Sequence, residues 1–176
     1  VAVMSTGNEL AEAEAPPGSL PPGVIRDSNR AMLLAACKEE GVDTMDLGIA
    51  RDDPAALEAL LDQAIAGGAN VLITSGGVSM GDRDLVKPML ERRGTIHFGR
   101  VLMKPGKPLT FASIEAPAGR RLLVFGLPGN PVSSIVTFHL AVVPCLRRLA
   151  GHPDPRLRRV RVRTTCAMRL DPERPE

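Results

Sequence analysis

Apolar residues along this chain switch between two periods. Short continuous runs at VAVMS (residues 1–5), TMDLGI (44–49), NVLITS (70–75) and RLLVFG (121–126) predict strands, and NVLITS has the unbroken character of a strand covered on both faces of a parallel sheet. Between them the spacing becomes helical. In DSNRAMLLAACKEEG, Asp27 or Ser28 supplies a cap, Met32, Leu33, Ala36 and Cys37 share a face, and Gly41 stops the helix. In RDDPAALEALLDQAIAGG, Asp53 caps, Pro54 takes the first helical position, Leu57, Leu60, Leu61, Ala64 and Ile65 keep the spacing, and Gly67-Gly68 end it. A third helix is expected over about residues 84–92. A long fourth begins at Asn130-Pro131 and stops at Gly151, with Pro144 expected to kink it. TIHFGRVLM (95–103) and PLTFASI (108–114) add strand candidates around the turn KPGK, and RVRVRTTCAMRL (159–170) alternates like a strand of a separate unit.

This alternation predicts an α/β fold with a mostly parallel sheet and helices on both faces. In such sheets ligands gather beyond the carboxyl ends of strands. The glycine-rich segments STGNE, SGGVSMGD and LPGNPVS each follow a predicted strand.

Composition narrows the function classes. With 176 residues, the chain suffices for one well-buried domain and the start of a second. A net charge of +2 generates no strong field toward nucleic acid or membrane, and with neither Tyr nor Trp there is no platform for stacked bases. The basic run RLRRVRVR (156–163) alternates Arg with Val, as on an exposed strand. Cys37, Cys145 and Cys166 are far apart, in apolar contexts and outside any CxxC spacing; they read as core thiols of a reducing compartment. No secretory signal is visible, and no apolar run is expected to span a membrane. The expected location is cytoplasmic. The opening at Val1 and the ending just after a strand-like run suggest a piece of a longer polypeptide.

Three loops carry candidate chemistry. SGGVSMGD matches neither GxxxxGK[ST] nor GxGxxG. It is nevertheless a strand-to-helix turn of small residues that presents backbone N–H groups to an anion. Ser75 and Ser79 add hydroxyls, whereas Asp82 and Asp84 repel a bare anion. That set suits a phosphate ester bridged by Mg²⁺, which binds through one or two carboxylates, waters and phosphate oxygens. A tight turn with Asp82 or Asp84 as a helix cap satisfies the same pattern. KPGKP (104–108) places two lysines on a stiffened turn suited to an oxyanion, or simply on the surface. GNPVS (129–133) puts Ser133 in the first turn of a capped helix; ordinary capping, worth ~1 kcal/mol, explains it equally. His97, His139 and His152 form no Ser-His-Asp or Cys-His constellation.

Together, and in this order, STGNEL, IRDSNR, DLGIARDD, TSGGVSMGDRD, FGRVLMKPGKPLTF and FGLPGNPVS resemble the molybdopterin molybdenumtransferase family, the insertases of molybdenum cofactor synthesis. That family includes bacterial enzymes and the E domains of gephyrin and of plant insertases. IRDSNRAML, MGDRDLVKP and DPERPE look most like the plant and green-algal branch. The resemblance implies a three-layer α/β/α molybdopterin-binding domain over residues 1–151. It also implies the beginning of a small C-terminal β domain over 159–176, with the family's N-terminal domains absent.

The implied reaction inserts molybdate into adenylylated molybdopterin and releases AMP and the finished cofactor. By motif match, Lys104, Lys107, Pro108 and Ser133 line the molybdate site, and Arg174 of DPERPE adds an anion contact. Asp52 and Asp84 bear on Mg²⁺ and adenylate cleavage, beside Ser79; Gly76 and Gly77 admit the pterin phosphate. Catalytic roles fall to Asp52, Asp84 and Lys107. Implied partners are a second copy of the chain, a molybdopterin adenylyltransferase, and apoenzymes or carriers of the cofactor. Asn8 stands where many relatives have Asp, which leaves Glu9 as the acid of that loop. Two alternatives accompany this reading. One is the sister adenylyltransferase, whose GGTG loop differs here at Val78 and Ser79. The other is a gephyrin-like scaffold or a catalytically incomplete fragment.

Overall fold

The computed structural model describes residues 1–78, 84–168 and 171–173. Its elements in chain order are β1 (Ala2–Thr6), β2 (Leu10–Ala11), β3 (Ile25–Arg26), α1 (Ser28–Glu39), β4 (Met45–Ala50), α2 (Pro54–Ala66), β5 (Val71–Ser75), α3 (Val86–Arg93), β6 (Thr95–Phe98), β7 (Thr110–Ala116), β8 (Arg120–Leu127), α4 (Pro131–Thr137) and α5 (Val143–Leu149). Six strands form one sheet in the order β4-β1-β5-β8-β7-β6. The pairs β4-β1, β1-β5 and β5-β8 are parallel, and β8-β7 and β7-β6 are antiparallel.

The strand period of two divides the core. Val3, Val71, Ile73, Phe125 and Leu127 pack with Leu33, Cys37, Phe138 and Val142 on the α1/α4/α5 side. Met4, Leu72 and Val124 pack with Leu57, Leu61, Val86 and Met89 on the α2/α3 side. The result is three layers, α/β/α. The helix starts follow the capping chemistry of the sequence: the side chains of Asp27, Asp53 and Asn130 accept from the N–H groups of Arg30, Ala56 and Ser133.

Several expectations are corrected, whereas the irregularity expected at Pro144 is present in the helix from Pro131 to Leu149. Proline has no N–H to give, and the preceding turn, Phe138–Val142, widens to a π-turn in which Val143 N–H bonds Phe138 C=O. At 19 residues with a mean hydropathy of 1.3, this helix also has the length and composition of a membrane span, against expectation. Here its inner face packs on the sheet through Phe138, Val142, Val143 and Leu146. Residues 159–168 form no strand: Val160 and Val162 are exposed with no sheet beside them, and alternation without a hydrogen-bonding partner does not make a strand. Cys166 is exposed rather than a core thiol, whereas Cys37 is buried and Cys145 partly so. Strand β6 stops at Phe98, so residues 99–103 belong to the loop.

Candidate functional site

The parallel strands end at a common rim. Ser5 and Ser75 are in register, as are Ser75 and Leu127, and Thr6 pairs with Ala50. The loops after β1, β4, β5 and β8 therefore emerge side by side. Strand β7 runs the other way, with Thr110 opposite Gly126, so its start, preceded by KPGKP, arrives at the same rim.

The loop after β5 requires its glycines. Gly76 (φ 87°) and Gly77 (φ 65°) are left-handed, and a Cβ would lie 2.9 Å from Thr6 O in the first case and 2.7 Å from Thr6 Oγ1 in the second. Gly76 N–H donates to Leu127 O at 3.1 Å, binding this loop to the end of β8. Ser79 falls outside the described residues, as does Asp82.

Asp84 is half-buried, and its Oδ1 accepts from Lys87 N–H at 3.2 Å. Burial raises its pKa above the usual carboxylate value, opposed by the backbone N–H groups of Lys87 and Val86. A carboxyl with a raised folded-state pKa contributes most to stability below its unfolded pKa, and that contribution is lost as pH rises through the folded value. Asp84→Asn keeps the turn acceptor and removes the desolvated charge. Its thermal midpoint is expected to exceed that of the unmodified chain at pH 7, with the gap closing below about pH 3.8, the ordinary value. A lower midpoint at pH 7 contradicts this.

Asp52, after β4, is exposed and exchanges bonds with the loop after β1: Asn8 N–H donates to its Oδ2 at 3.2 Å, and its own N–H donates to Asn8 Oδ1 at 3.1 Å. Asn8 is thus a loop brace, and Glu9 stands exposed beside it. Among the described residues, no group of three or more His, Cys, Asp or Glu side chains gathers to hold a metal. Asp52 and Asp84 are carboxylates of the type that Mg²⁺ takes one or two of, completing its shell with water and phosphate oxygens.

The KPGKP turn is fixed against α4. Gly106 (φ 111°) sits where a Cβ would lie 2.6 Å from Thr137 Cγ2. Thr137 Oγ1 in turn donates to Ser133 O at 2.7 Å. The turn that carries Lys104, Lys107 and Pro108 is therefore seated on the helix whose first turn holds Ser133. Lys107 is exposed, Pro108 is half-buried, and Lys104 Nζ lies 3.4 Å from Asp171 Oδ2. Ser133 N–H is taken by the Asn130 cap at 3.1 Å, so its hydroxyl is the group it can turn to a ligand. Arg174 falls outside the described residues.

Sequence patterning did not single out Asn29 and Arg30 in the first turn of α1. Asn29 and Arg30 precede Leu33 by four and three residues, so they continue the buried face of the helix, a signal legible in the spacing. Arg30, 7% exposed, donates to Asp27 at 3.0 Å, to Asp46 at 2.6 Å and to Glu12. Burial pulls the Arg30 pKa down, but bonds to Asp46, Asp27 and Glu12 outweigh it and leave the pKa raised. Asp27 also accepts from Ser5 Oγ at 2.9 Å. Asn29 Nδ2 donates to Ser75 Oγ at 2.8 Å and to Gly129 O at 2.9 Å. A cavity of about 120 Å³ opens here, lined in part by Thr6, Asp27, Asn29, Ser75, Gly76 and Gly129. Thr6 Oγ1 and Asn29 Oδ1 are buried there without partners.

The arrangement is an anion-receptive rim: backbone approach at Gly76-Gly77, carboxylates at Asp52 and Asp84, and cations and a hydroxyl at Lys104, Lys107 and Ser133. Known proteins resemble the chain. The chain is 42% identical over its full length to gephyrin of Dictyostelium discoideum, covering 28% of that protein. It is 44% identical over 86% of its length to a molybdopterin molybdenumtransferase of a Nostoc strain, covering 34% of it. The crystal structure of a molybdopterin biosynthesis moea protein from Pyrococcus horikosii superposes with a TM-score of 0.70 at 39% identity, over 85% of this chain and 35% of that one. The chain thus spans about a third of the length of these relatives. The family model described as probable molybdopterin binding domain matches residues 2–148. With that model covering most of its length, the chain belongs to the molybdopterin-binding domain family of molybdenum cofactor biosynthesis.

Proposed function

We propose that this chain carries the insertase centre of a molybdopterin molybdenumtransferase, transferring molybdate to the dithiolene of adenylylated molybdopterin with cleavage of the adenylate to AMP. One observation supports it above others. The reversed strand β7 delivers KPGKP to the rim where the Gly76-Gly77 loop and the Ser133 turn already emerge. A tetrahedral dianion needs cations and hydroxyls, and a phosphate ester needs backbone N–H groups; both sets stand on one edge.

In this reading Lys107, Lys104, Pro108 and Ser133 receive molybdate, with Arg174 as a further anion contact. Gly76 and Gly77 admit the phosphate, beside Ser79. Asp52 and Asp84 would hold Mg²⁺, which when bound would supply positive charge beside the leaving phosphate. Lys107 stabilises charge on the incoming oxyanion, and Asp84, already disfavoured as a bare carboxylate by burial, gains from a cation. Relatives named molybdenumtransferase support transfer of the metal rather than adenylylation of the pterin. The whole protein is proposed to work in the cytoplasm as a homodimer, to take its substrate from an adenylyltransferase and to pass the product to carriers or apoenzymes.

The test incubates the chain with adenylylated molybdopterin, Mg²⁺ and molybdate and follows AMP by chromatography. Molybdate-dependent AMP release is expected, falling roughly 100-fold in Lys107→Ala and in Asp84→Ala. Release that ignores molybdate, or unchanged turnover in both variants, overturns the assignment.

A further inference from the structure

We propose that Asn29 is a positioning residue that holds the Gly76-Gly77 loop and the turn of residues 128–133 at one fixed separation. This rests on the functional reading above, in which those segments carry the substrate's phosphate and its incoming oxyanion. Asn29 is 8% exposed and stands at the second position of α1, a helix already capped by Asp27, so the helix start does not need it. Its amide reaches out of the helix to two segments distant in sequence. Nδ2 donates to Ser75 Oγ, the last residue of β5, and to the carbonyl of Gly129, between β8 and α4.

The orientation of the amide is settled by chemistry. A backbone carbonyl only accepts, so the group facing Gly129 O must be the NH₂. This leaves Oδ1 buried and unpartnered. Both N–H donors of the amide are thus spent on segments outside α1. The segments they join are in near contact: a Cβ on Gly129 would lie 3.6 Å from Gly76 Cα, and Gly76 N–H bonds Leu127 O. Splaying one loop therefore moves the other. Misplacement by about 1 Å of groups that must meet in a transition state costs on the order of 100-fold in rate.

Asn29→Asp keeps the shape and presents an acceptor to Gly129 O in place of the donor. Ser75→Ala cuts only the β5 arm and keeps the proposal testable where Asn29→Asp folds poorly. Leu61→Ala, a core truncation in α2, is the destabilised control. Two readouts are taken: amide hydrogen exchange at Gly76, and AMP release fitted for kcat and for the KM of molybdate. Asn29→Asp is expected to raise Gly76 exchange at least tenfold and to lower kcat at least 30-fold, with KM within threefold. Ser75→Ala moves both readouts less, in the same direction, and adds nothing on top of Asn29→Asp. Leu61→Ala keeps kcat within twofold below its thermal midpoint. A fall in kcat with Gly76 exchange unchanged overturns the positioning role, as does an unchanged kcat. If the unmodified chain releases no AMP, the functional reading fails, and Gly76 exchange still decides whether Asn29 is the clasp.

Discussion

Gly106→Ala is expected to lower the thermal midpoint by roughly 4–24 °C and to weaken molybdate binding at least tenfold. Two costs add. The backbone at φ 111° is foreign to an L side chain, on the order of 1–3 kcal/mol. The new methyl would lie 2.6 Å from Thr137 Cγ2 and 3.1 Å from Met103 Cε, an overpacking worth about 1–3 kcal/mol. In a domain of this size each kcal/mol lowers the midpoint by about 2–4 °C. Thr137 has little freedom to turn away, because its single Oγ1–H is shared between Ser133 O and Ser134 O. Relief comes instead from the KPGKP turn, with Lys107 on it, lifting off α4. The double variant Gly106→Ala, Thr137→Ser removes the opposing methyl and keeps the hydroxyl; it should recover the packing share of the loss but not the backbone share. Differential scanning calorimetry and molybdate titration check both parts. A single variant with an unchanged midpoint refutes the proposed fit of the turn against α4.

Arg30→Met is expected to cost about 3–5 kcal/mol, close to 10 °C or more in midpoint. Of the three carboxylates that Arg30 holds, Asp46 and Glu12 are half-exposed and return to water without it. Asp27, 2% exposed, cannot, and is left as an unpaired buried charge. The effect therefore rests on the Asp27 leg alone. Adding Asp27→Asn removes the charge while keeping an acceptor for Ser5 and a cap for α1, so the double variant should regain most of the loss. A double-mutant cycle by urea denaturation measures this coupling. Additive losses would place the cost elsewhere, in packing of the Arg30 stem.

Much of the fold was legible because its signals are local. Asp53-Pro54 and Asn130-Pro131 start helices through bonds made within three residues, and Gly67-Gly68 ends one for the same reason. The apolar runs of β1, β5 and β8 identified the buried strands without reference to any neighbour. Where a partner was required, local reading failed. The alternation in RVRVR predicted a strand that residues 159–168 do not form, since the period gives a face and no hydrogen-bonding neighbour. Pro144, by contrast, marks its irregularity locally: the turn before it widens to a π-turn.

The candidate site divides along the same line. Sequence by itself determined the chemistry available: the Gly76-Gly77 turn, the acids Asp52 and Asp84, the lysines of KPGKP, and Ser133 behind its Asn130-Pro131 cap. These are properties of residue type and short spacing. Only the tertiary structure decided which strand ends share a rim. The antiparallel course of β7 turns KPGKP toward the carboxyl rim, Gly106 seats it on Thr137, and Asn29 reaches 46 residues to Ser75 and 100 residues to Gly129. Strand direction and hydrogen bonds at that range depend on the order in which strands join the sheet. No window of neighbouring residues encodes that order, because the energy that selects it comes from burying both faces of the sheet at once.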